Sequence, residues 1–123
     1  IIFPGQIIAP PPVNTPAWVA NLTNDSWYDN SAGPRQHLSQ ARARAIEEGL
    51  PIIRVAGTGI SAAIEPNGKI KTAIPYGTKA AIVVDLSPAT TKSPYAQWRD
   101  WPFAFTALFL LLVVFLLPKS QRT

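Results

Sequence analysis

The chain of 123 residues contains no cysteine and no methionine, and its single histidine is His37. Without cysteine it has no disulfide, no thiolate metal site and no cysteine nucleophile of its own. One histidine and no cluster of carboxylates do not predict a metal site, and we expect no metal and no cofactor. Because position 1 is Ile1, we expect the chain to be a processed product or a piece of a longer protein.

The excess of positive over negative charge is also small. The first 100 residues carry nine Lys and Arg against seven Asp and Glu, and the remaining positive excess comes from Lys119 and Arg122. A nucleic-acid interface needs a dense basic stripe, and the aromatic residues do not interleave with one here. The length allows one small domain, and the composition predicts no nucleic-acid partner.

The one long hydrophobic run lies near the end of the chain. Residues 101–118 carry no charge, and at 1.5 Å per residue a helix of that length spans about 27 Å, close to the hydrocarbon core of a bilayer. We expect a transmembrane helix there, with residues 1–100 on one side and residues 119–123 on the other. Lys119 and Arg122 favour the cytoplasm, which places the first 100 residues in the periplasm of a bacterium.

Before that run the pattern alternates strands with one helix. Gly33-Pro34 is typical of a helix start, Gly49 and Pro51 of its end. Helical spacing predicts a buried face on the helix, and short β-branched runs predict strands. The predicted buried face is Leu38, Ala41, Ala45 and Ile46, and the predicted strands are 17–23, 52–56, 60–64, 70–74 and 80–86. The sequence therefore predicts an α/β fold.

Polar and aromatic side chains follow the first predicted strand, from Asn21 to Tyr28. The edge of a sheet is where α/β folds place binding and catalytic groups, so this segment is a candidate site. An Asn/Asp turn that caps its own backbone is the alternative. On the following helix, Arg42 and Arg44 either point toward the site or are solvated, with Arg44 paired to Glu47 or Glu48.

Two catalytic patterns are incomplete. Gly57-x-Gly59-x-x-Ala62 follows a strand as a dinucleotide fingerprint does, but the residues after it predict strand and turn rather than helix. A tight turn or bulge is therefore favoured. Ser26, His37 and Asp25 are the residue types of a hydrolytic triad, which only geometry can establish, and no Gly-x-Ser-x-Gly elbow is present.

Several motifs nonetheless occur in a specific order along nearly the whole chain. With them the sequence resembles the bacterial apolipoprotein N-acyltransferase family of the carbon–nitrogen hydrolase (nitrilase-like) superfamily. The family usually has Asn at the position of Gly57 and Asp at that of Glu65. The matching motifs are Asn21–Tyr28, Gly33-Pro34-x-Gln36-His37, Ala41–Glu47, Arg54, Thr58–Ala62, Ile64–Gly68, Pro94–Ala96 and Asp100-Trp101.

The resemblance implies an α-β-β-α sandwich, here partial, followed by one membrane helix in the inner membrane. It also implies a Glu-Lys-Cys set in which the glutamate is a general base, the lysine stabilises an oxyanion and the cysteine attacks. None of the three lies in this chain, and the cysteine is expected just upstream of Ile1. A phospholipid is the implied acyl donor, and the acyl chain passes through a cysteine thioester to the N-terminal diacylglyceryl-cysteine of an apolipoprotein.

For this chain the resemblance implies supporting roles, and we expect no activity from it alone. Asn24, Asp25, Trp27 and Tyr28 are expected to line the pocket. His37, Arg42 and Arg44 are expected to fix the helix behind it. Two alternatives stay open: a membrane-anchored non-catalytic module with a nitrilase fold, and a tail-anchored nitrilase-like amidase.

Overall fold

A four-stranded sheet with one long helix against it forms the body of the part that the structure describes. The structure is a computed structural model, and it describes residues 16–29, 31–91 and 93–116. The expected catalytic cysteine, residues 117–118 of the hydrophobic run and the tail 119–123 lie outside these residues. The elements are β1 (Val19–Thr23), α1 (Gly33–Glu48), β2 (Ile52–Ala56), β3 (Ser61–Ile64), β4 (Ile70–Ile74), α2 (Pro94–Trp98) and α3 (Trp101–Leu116), with a 3-10 turn at Ser26–Tyr28.

The strand order in the sheet is the order in the chain, β1-β2-β3-β4. β1 and β2 are parallel, so α1 serves as the crossover between them. β2, β3 and β4 then follow as an antiparallel meander. The turn between β3 and β4 closes at Gly68, which has a φ of 79° and donates its N–H to Glu65. The α/β fold and four of the five predicted strands are thereby confirmed.

α1 begins and ends as the sequence predicts. Pro34 occupies the first turn, where its missing N–H is not needed. Gly49 ends the helix with a φ of 67° and donates its N–H to the carbonyl of Ala45. The buried cluster between α1 and the sheet consists of Leu38, Ala41, Ala45, Ile52, Ala62 and Ile64.

One residue of the predicted helix face is not buried. Ile46 is half exposed, whereas Leu38, Ala41 and Ala45 are buried. Ile46 stands one turn after Arg42, on a stripe that runs over the β3–β4 turn rather than over the sheet. The tip of its side chain reaches Gly68 there. The predicted buried face of α1 is therefore confirmed at three of its four positions.

The predicted strand at residues 80–86 is wrong. This segment has no strand pairing, and Ala80, Ala81, Ile82 and Val84 instead border a cavity of about 240 Å³ on the face of the sheet opposite α1. Its fixed point is a hydrogen bond from Lys71 Nζ to the carbonyl of Asp85. Aliphatic composition favours a strand only where a neighbouring strand pairs with it, and residues 80–86 do not pair with the edge strand β4.

α3 consists almost entirely of apolar residues, and its large side chains are exposed. Its 16 described residues extend about 24 Å. Among the helices that the structure describes, none combines the length and the hydropathy required to cross a membrane.

Candidate functional site

The polar segment after β1 is built around a carboxylate that has no contact with solvent. The side chain of Asp25 is fully buried. Its Oδ1 accepts hydrogen bonds from His37 Nδ1 at 2.8 Å and from Thr23 Oγ1 at 3.2 Å. Its Oδ2 accepts one from Arg54 Nη2 at 2.7 Å. Because a carboxylate only accepts, His37 carries its hydrogen on Nδ1 in this arrangement.

The partner of this carboxylate is a buried arginine in the middle of β2. Arg54 is 1% exposed, and its Nη1 also donates to Asn21 Oδ1 at 2.7 Å. A buried ion pair is tolerated when the remaining donors and acceptors are satisfied, and this one is extensively hydrogen-bonded. Asn21 lies opposite Arg54 in the parallel register of β1 and β2, which explains why the two side chains meet.

The rest of the segment turns outward. Asn24 is exposed, and its Oδ1 accepts the backbone N–H of Ser26, so the predicted Asn turn is present as well. Trp27 is 84% exposed, and Tyr28 is less so. The Tyr28 ring packs edge-on against His37 with 6.0 Å between ring centroids. The segment thus combines a buried anchor, Asp25, with exposed aromatic side chains.

His37 lies on the first half of α1 and faces the site, whereas the two candidate arginines lie elsewhere on the helix. Arg42 Nε donates to the carbonyl of Gly68 at 2.8 Å and so ties α1 to the β3–β4 turn. Arg44 forms an ion pair with Glu47 on the same helix. The structure brings His37 together with Asp25, and it does not bring Arg42 or Arg44 to them.

The C-terminal end of α1 carries the clearest electrostatic perturbation among the residues that the structure describes. Burial raises the pKa of the Glu48 carboxyl above its usual value, and Arg99, which lowers it, is the next largest influence. Glu47 raises it further, and Arg44 opposes that effect. Glu48 Oε1 is buried without a hydrogen-bond partner. This cluster lies where α1 contacts α2.

The triad and nucleotide interpretations fare differently. His37 and Asp25 do meet, but within the described residues Ser26 Oγ is not among the partners of His37. The glycine motif lies in the turn between antiparallel β2 and β3, so the helix that a nucleotide-binding loop requires is replaced by a strand. In the described ranges, no three His, Asp or Glu side chains cluster closely enough to bind a metal.

Arg54 is the residue of this network to which the sequence analysis assigned no role. A signal was available: Ile52, Arg54 and Ala56 alternate on one face of β2, and the hydrophobic residues of that face are buried. An arginine on such a face requires a buried acidic partner.

Comparison with known proteins agrees with this architecture. The carbon–nitrogen hydrolase family profile matches residues 8–95, which include every strand of the sheet and α1. The chain belongs to the carbon–nitrogen hydrolase family. This confirms the superfamily inferred from the sequence motifs.

Three similar curated proteins share the name apolipoprotein N-acyltransferase. The chain is 41% identical over 115 residues to the apolipoprotein N-acyltransferase of Rhodopseudomonas palustris, which is 94% of this chain and 21% of that protein. It is 45% identical over 114 residues to the enzyme of that name from Bradyrhizobium diazoefficiens, or 92% and 21% of the two chains. It is 41% identical over 102 residues to the Pseudomonas putida protein of that name, which is 83% of this chain and 20% of that protein. The chain therefore spans about a fifth of the length of these relatives.

Proposed function

We propose that this chain is part of a membrane apolipoprotein N-acyltransferase. In the proposed reaction a cysteine thiol attacks the acyl ester of a phospholipid, which gives a thioester and releases a lysophospholipid. The α-amino group of an N-terminal diacylglyceryl-cysteine on an apolipoprotein then attacks the thioester, which gives an amide and frees the thiol. The observation that carries the proposal is the similarity to proteins of that name over more than nine tenths of the chain. The thiol itself has to come from outside these 123 residues, which contain none.

The proposed role of the described residues is to shape the pocket. Asn24, Trp27 and Tyr28 lie on the exposed side of the segment, where an acyl chain or a lipidated peptide can reach them. Asp25 lies behind them and is their buried anchor. An exposed indole offers a large apolar surface with little loss of conformational freedom on binding, which suits a hydrocarbon ligand.

The supporting residues act at two separate places in this proposal. His37 joins the site segment to α1 through Asp25. Arg42 joins α1 to the β3–β4 turn, and Arg44 stabilises the last turns of the helix through Glu47. Together they keep α1 in one position behind the site segment.

α3 is proposed as part of the membrane anchor. Its large apolar side chains are exposed, and the charge-free sequence continues from α3 to Pro118 before Lys119. Lipid would remove those side chains from water, at about 25 cal/mol per Å² of apolar surface. In this arrangement the sheet lies on the periplasmic side of the inner membrane, and the chain ends in the cytoplasm.

The test is an acyl-transfer assay with the intact protein. Purified protein in detergent is incubated with a phospholipid carrying a labelled acyl chain, first alone and then with a diacylglyceryl-cysteine peptide. We expect a hydroxylamine-sensitive acyl-enzyme in the first step and an N-acylated peptide in the second. Hydrolysis of a simple amide without acyl transfer would favour the amidase alternative, and neither activity would favour the non-catalytic module. The 123-residue chain is the control and should form no thioester.

A further inference from the structure

Arg54 connects three parts of the chain that are separate in sequence. Its Nη1 bonds to Asn21 in β1, its Nη2 to Asp25 in the site segment, and its Nε to the carbonyl of Ile60, just before β3, at 3.2 Å. All three nitrogens of a fully buried guanidinium are therefore engaged. The planar fork of arginine fixes the directions of these bonds, which a lysine ammonium cannot reproduce.

Gly59 confines the same carboxylate sterically. A Cβ at Gly59 would lie 2.2 Å from Asp25 Oδ2 and 2.7 Å from its Cγ. Among the described glycines, those with positive φ are Gly49, Gly68 and Gly77, so the missing side chain at Gly59 serves close approach rather than an unusual backbone. Asp25 is thus bounded by donors on one side and by the backbone of Gly59 on another.

The position of Asp25 determines the position of the aromatic side chains. The Asp25 carbonyl accepts the N–H of Tyr28 at 3.1 Å and closes the turn that carries Trp27. The Tyr28 ring in turn packs on His37, which donates to Asp25. Any displacement of the Asp25 carboxyl therefore shifts the exposed face of the segment.

We infer that Arg54 and Gly59 are positioning residues for acyl transfer, acting through Asp25 on the segment that carries Trp27 and Tyr28. The inference rests on the proposed function and adds two residues that touch no substrate. A misplacement of about 1 Å at groups that orient a substrate costs up to roughly 100-fold in rate. A purely structural role would instead lower the amount of folded protein and leave its turnover unchanged.

The experiment uses the intact enzyme in membranes and normalises turnover to folded protein. Arg54→Gln and Gly59→Ala should lower kcat between about tenfold and about 100-fold, with KM for the phospholipid changed by less than about twofold. Gly57→Ala is the matched control in the same turn, because a Cβ at Gly57 lies 3.4 Å from Asn24 Oδ1, an ordinary contact. Ile64→Val, in the core, is the control for general destabilisation. Both controls should retain the parental kcat.

A second comparison tests the route through Asp25. In an Asp25→Ala background the carboxyl that Gly59→Ala would strike is gone, so the second substitution should lower kcat by less than about twofold further. If Arg54→Gln does not accumulate as folded protein, kcat is measured for Arg54→Lys instead. This variant keeps the positive charge but loses the directed hydrogen bonds, so its kcat should also fall.

Parental kcat in folded Arg54 and Gly59 variants would overturn the inference and leave the proposed function intact. Additive losses from Asp25→Ala and Gly59→Ala would overturn the route through Asp25. A parental protein without acyl transfer would overturn both the inference and the proposed function.

Discussion

Trp27 is the residue at which the site can be tested with least disturbance of the fold. Its side chain is 84% exposed, so its removal leaves no cavity. We expect Trp27→Ala to change the free energy of unfolding by no more than about 0.5 kcal/mol, as for most surface substitutions. If it lines the pocket, acyl transfer by the intact enzyme should fall about tenfold or more, and Trp27→Phe should restore much of it.

The measurement is kcat/KM for each variant alongside its unfolding curve. Trp98 is likewise exposed but lies in α2, so Trp98→Ala is the matched control and should leave acyl transfer unchanged. Equal losses in Trp27→Ala and Trp98→Ala would contradict a pocket role for Trp27.

Glu48 should give the protein a measurable pH dependence of stability. Burial raises its pKa in the folded state, so the folded protein binds more protons than the unfolded chain between about 4.3, the unfolded value, and the raised value. Stability from this group is therefore greatest below the unfolded value and is lost as the pH rises through the folded pKa. Glu48→Gln should flatten this slope and raise stability above the window.

The slope is measured as the free energy of unfolding of the intact protein from pH 4 to about pH 8, for the parent and for Glu48→Gln. Contributions of other groups are common to both proteins and cancel in the difference. A difference independent of pH would show that Glu48 does not titrate differently on folding.

At this scale the sequence revealed residue types but not their partners. The sequence singled out Asn24, Asp25 and His37, and the structure brings Asp25 and His37 into contact. The pairing of Asp25 with Arg54, 29 positions away, depends on the register that places Asn21 opposite Arg54. Register is set by how β1 and β2 pack around α1, and a single sequence contains no direct record of it.

Among the elements, the turns on either side of β4 offer a comparison of two glycines, Gly68 before the strand and Gly77 after it. Gly68 and Gly77 both have positive φ, 79° and 71°. A Cβ at Gly68 would lie 2.6 Å from Ile46 Cδ1, whereas at Gly77 nothing lies within 4 Å. Gly77→Ala should therefore cost about 1 kcal/mol for backbone strain alone, and Gly68→Ala an additional 1–3 kcal/mol or so for the clash.

Chemical denaturation of the two variants measures this difference directly. Gly68→Ala combined with Ile46→Ala removes the side chain that is struck and should bring the cost of the glycine substitution close to that at Gly77. An equal loss for both single variants would show that the contact of α1 with the turn has no energetic weight.

The sequence predicted the boundaries of α1 better than it predicted the strands. Local chemistry determines both ends of α1. The Pro34 ring is compatible with the first turn, and Gly49 adopts the left-handed conformation that ends the helix. The prediction of a strand at 80–86 was wrong for the opposite reason. A strand requires a pairing partner, and the local sequence does not show whether one is available. The prediction that Ile46 is buried was wrong because Ile46 lies at the border of the buried stripe, next to the β3–β4 turn rather than the sheet.

At the scale of the whole molecule, the face of the sheet opposite α1 carries exposed apolar side chains beside the segment 80–86. Leu22 is 75% exposed and Val55 49%, and the two are paired across β1 and β2. The α-β-β-α sandwich expected from the sequence resemblance would place a second sheet on that face. We expect Leu22→Cys in the intact protein to resist a water-soluble maleimide in the native state and to react after unfolding.

Mass spectrometry of the peptide that contains position 22 gives the measurement and separates it from any cysteine outside the 123 residues, which themselves contain none. Ser39→Cys, exposed on α1, is the control and should react in the native state. Rapid native labelling of Leu22→Cys would argue against a second sheet on this face.

The order of the strands also has a consequence for how the sheet forms. Each strand pairs with the one before it in the chain, and the widest separation is bridged by a single helix. No strand from outside residues 19–74 is needed between any two of these. The sheet can therefore grow by adding neighbours in turn, with short loops to close and a small entropic barrier. Folding of this stretch should therefore be sequential, each strand being added next to the one that precedes it in the chain.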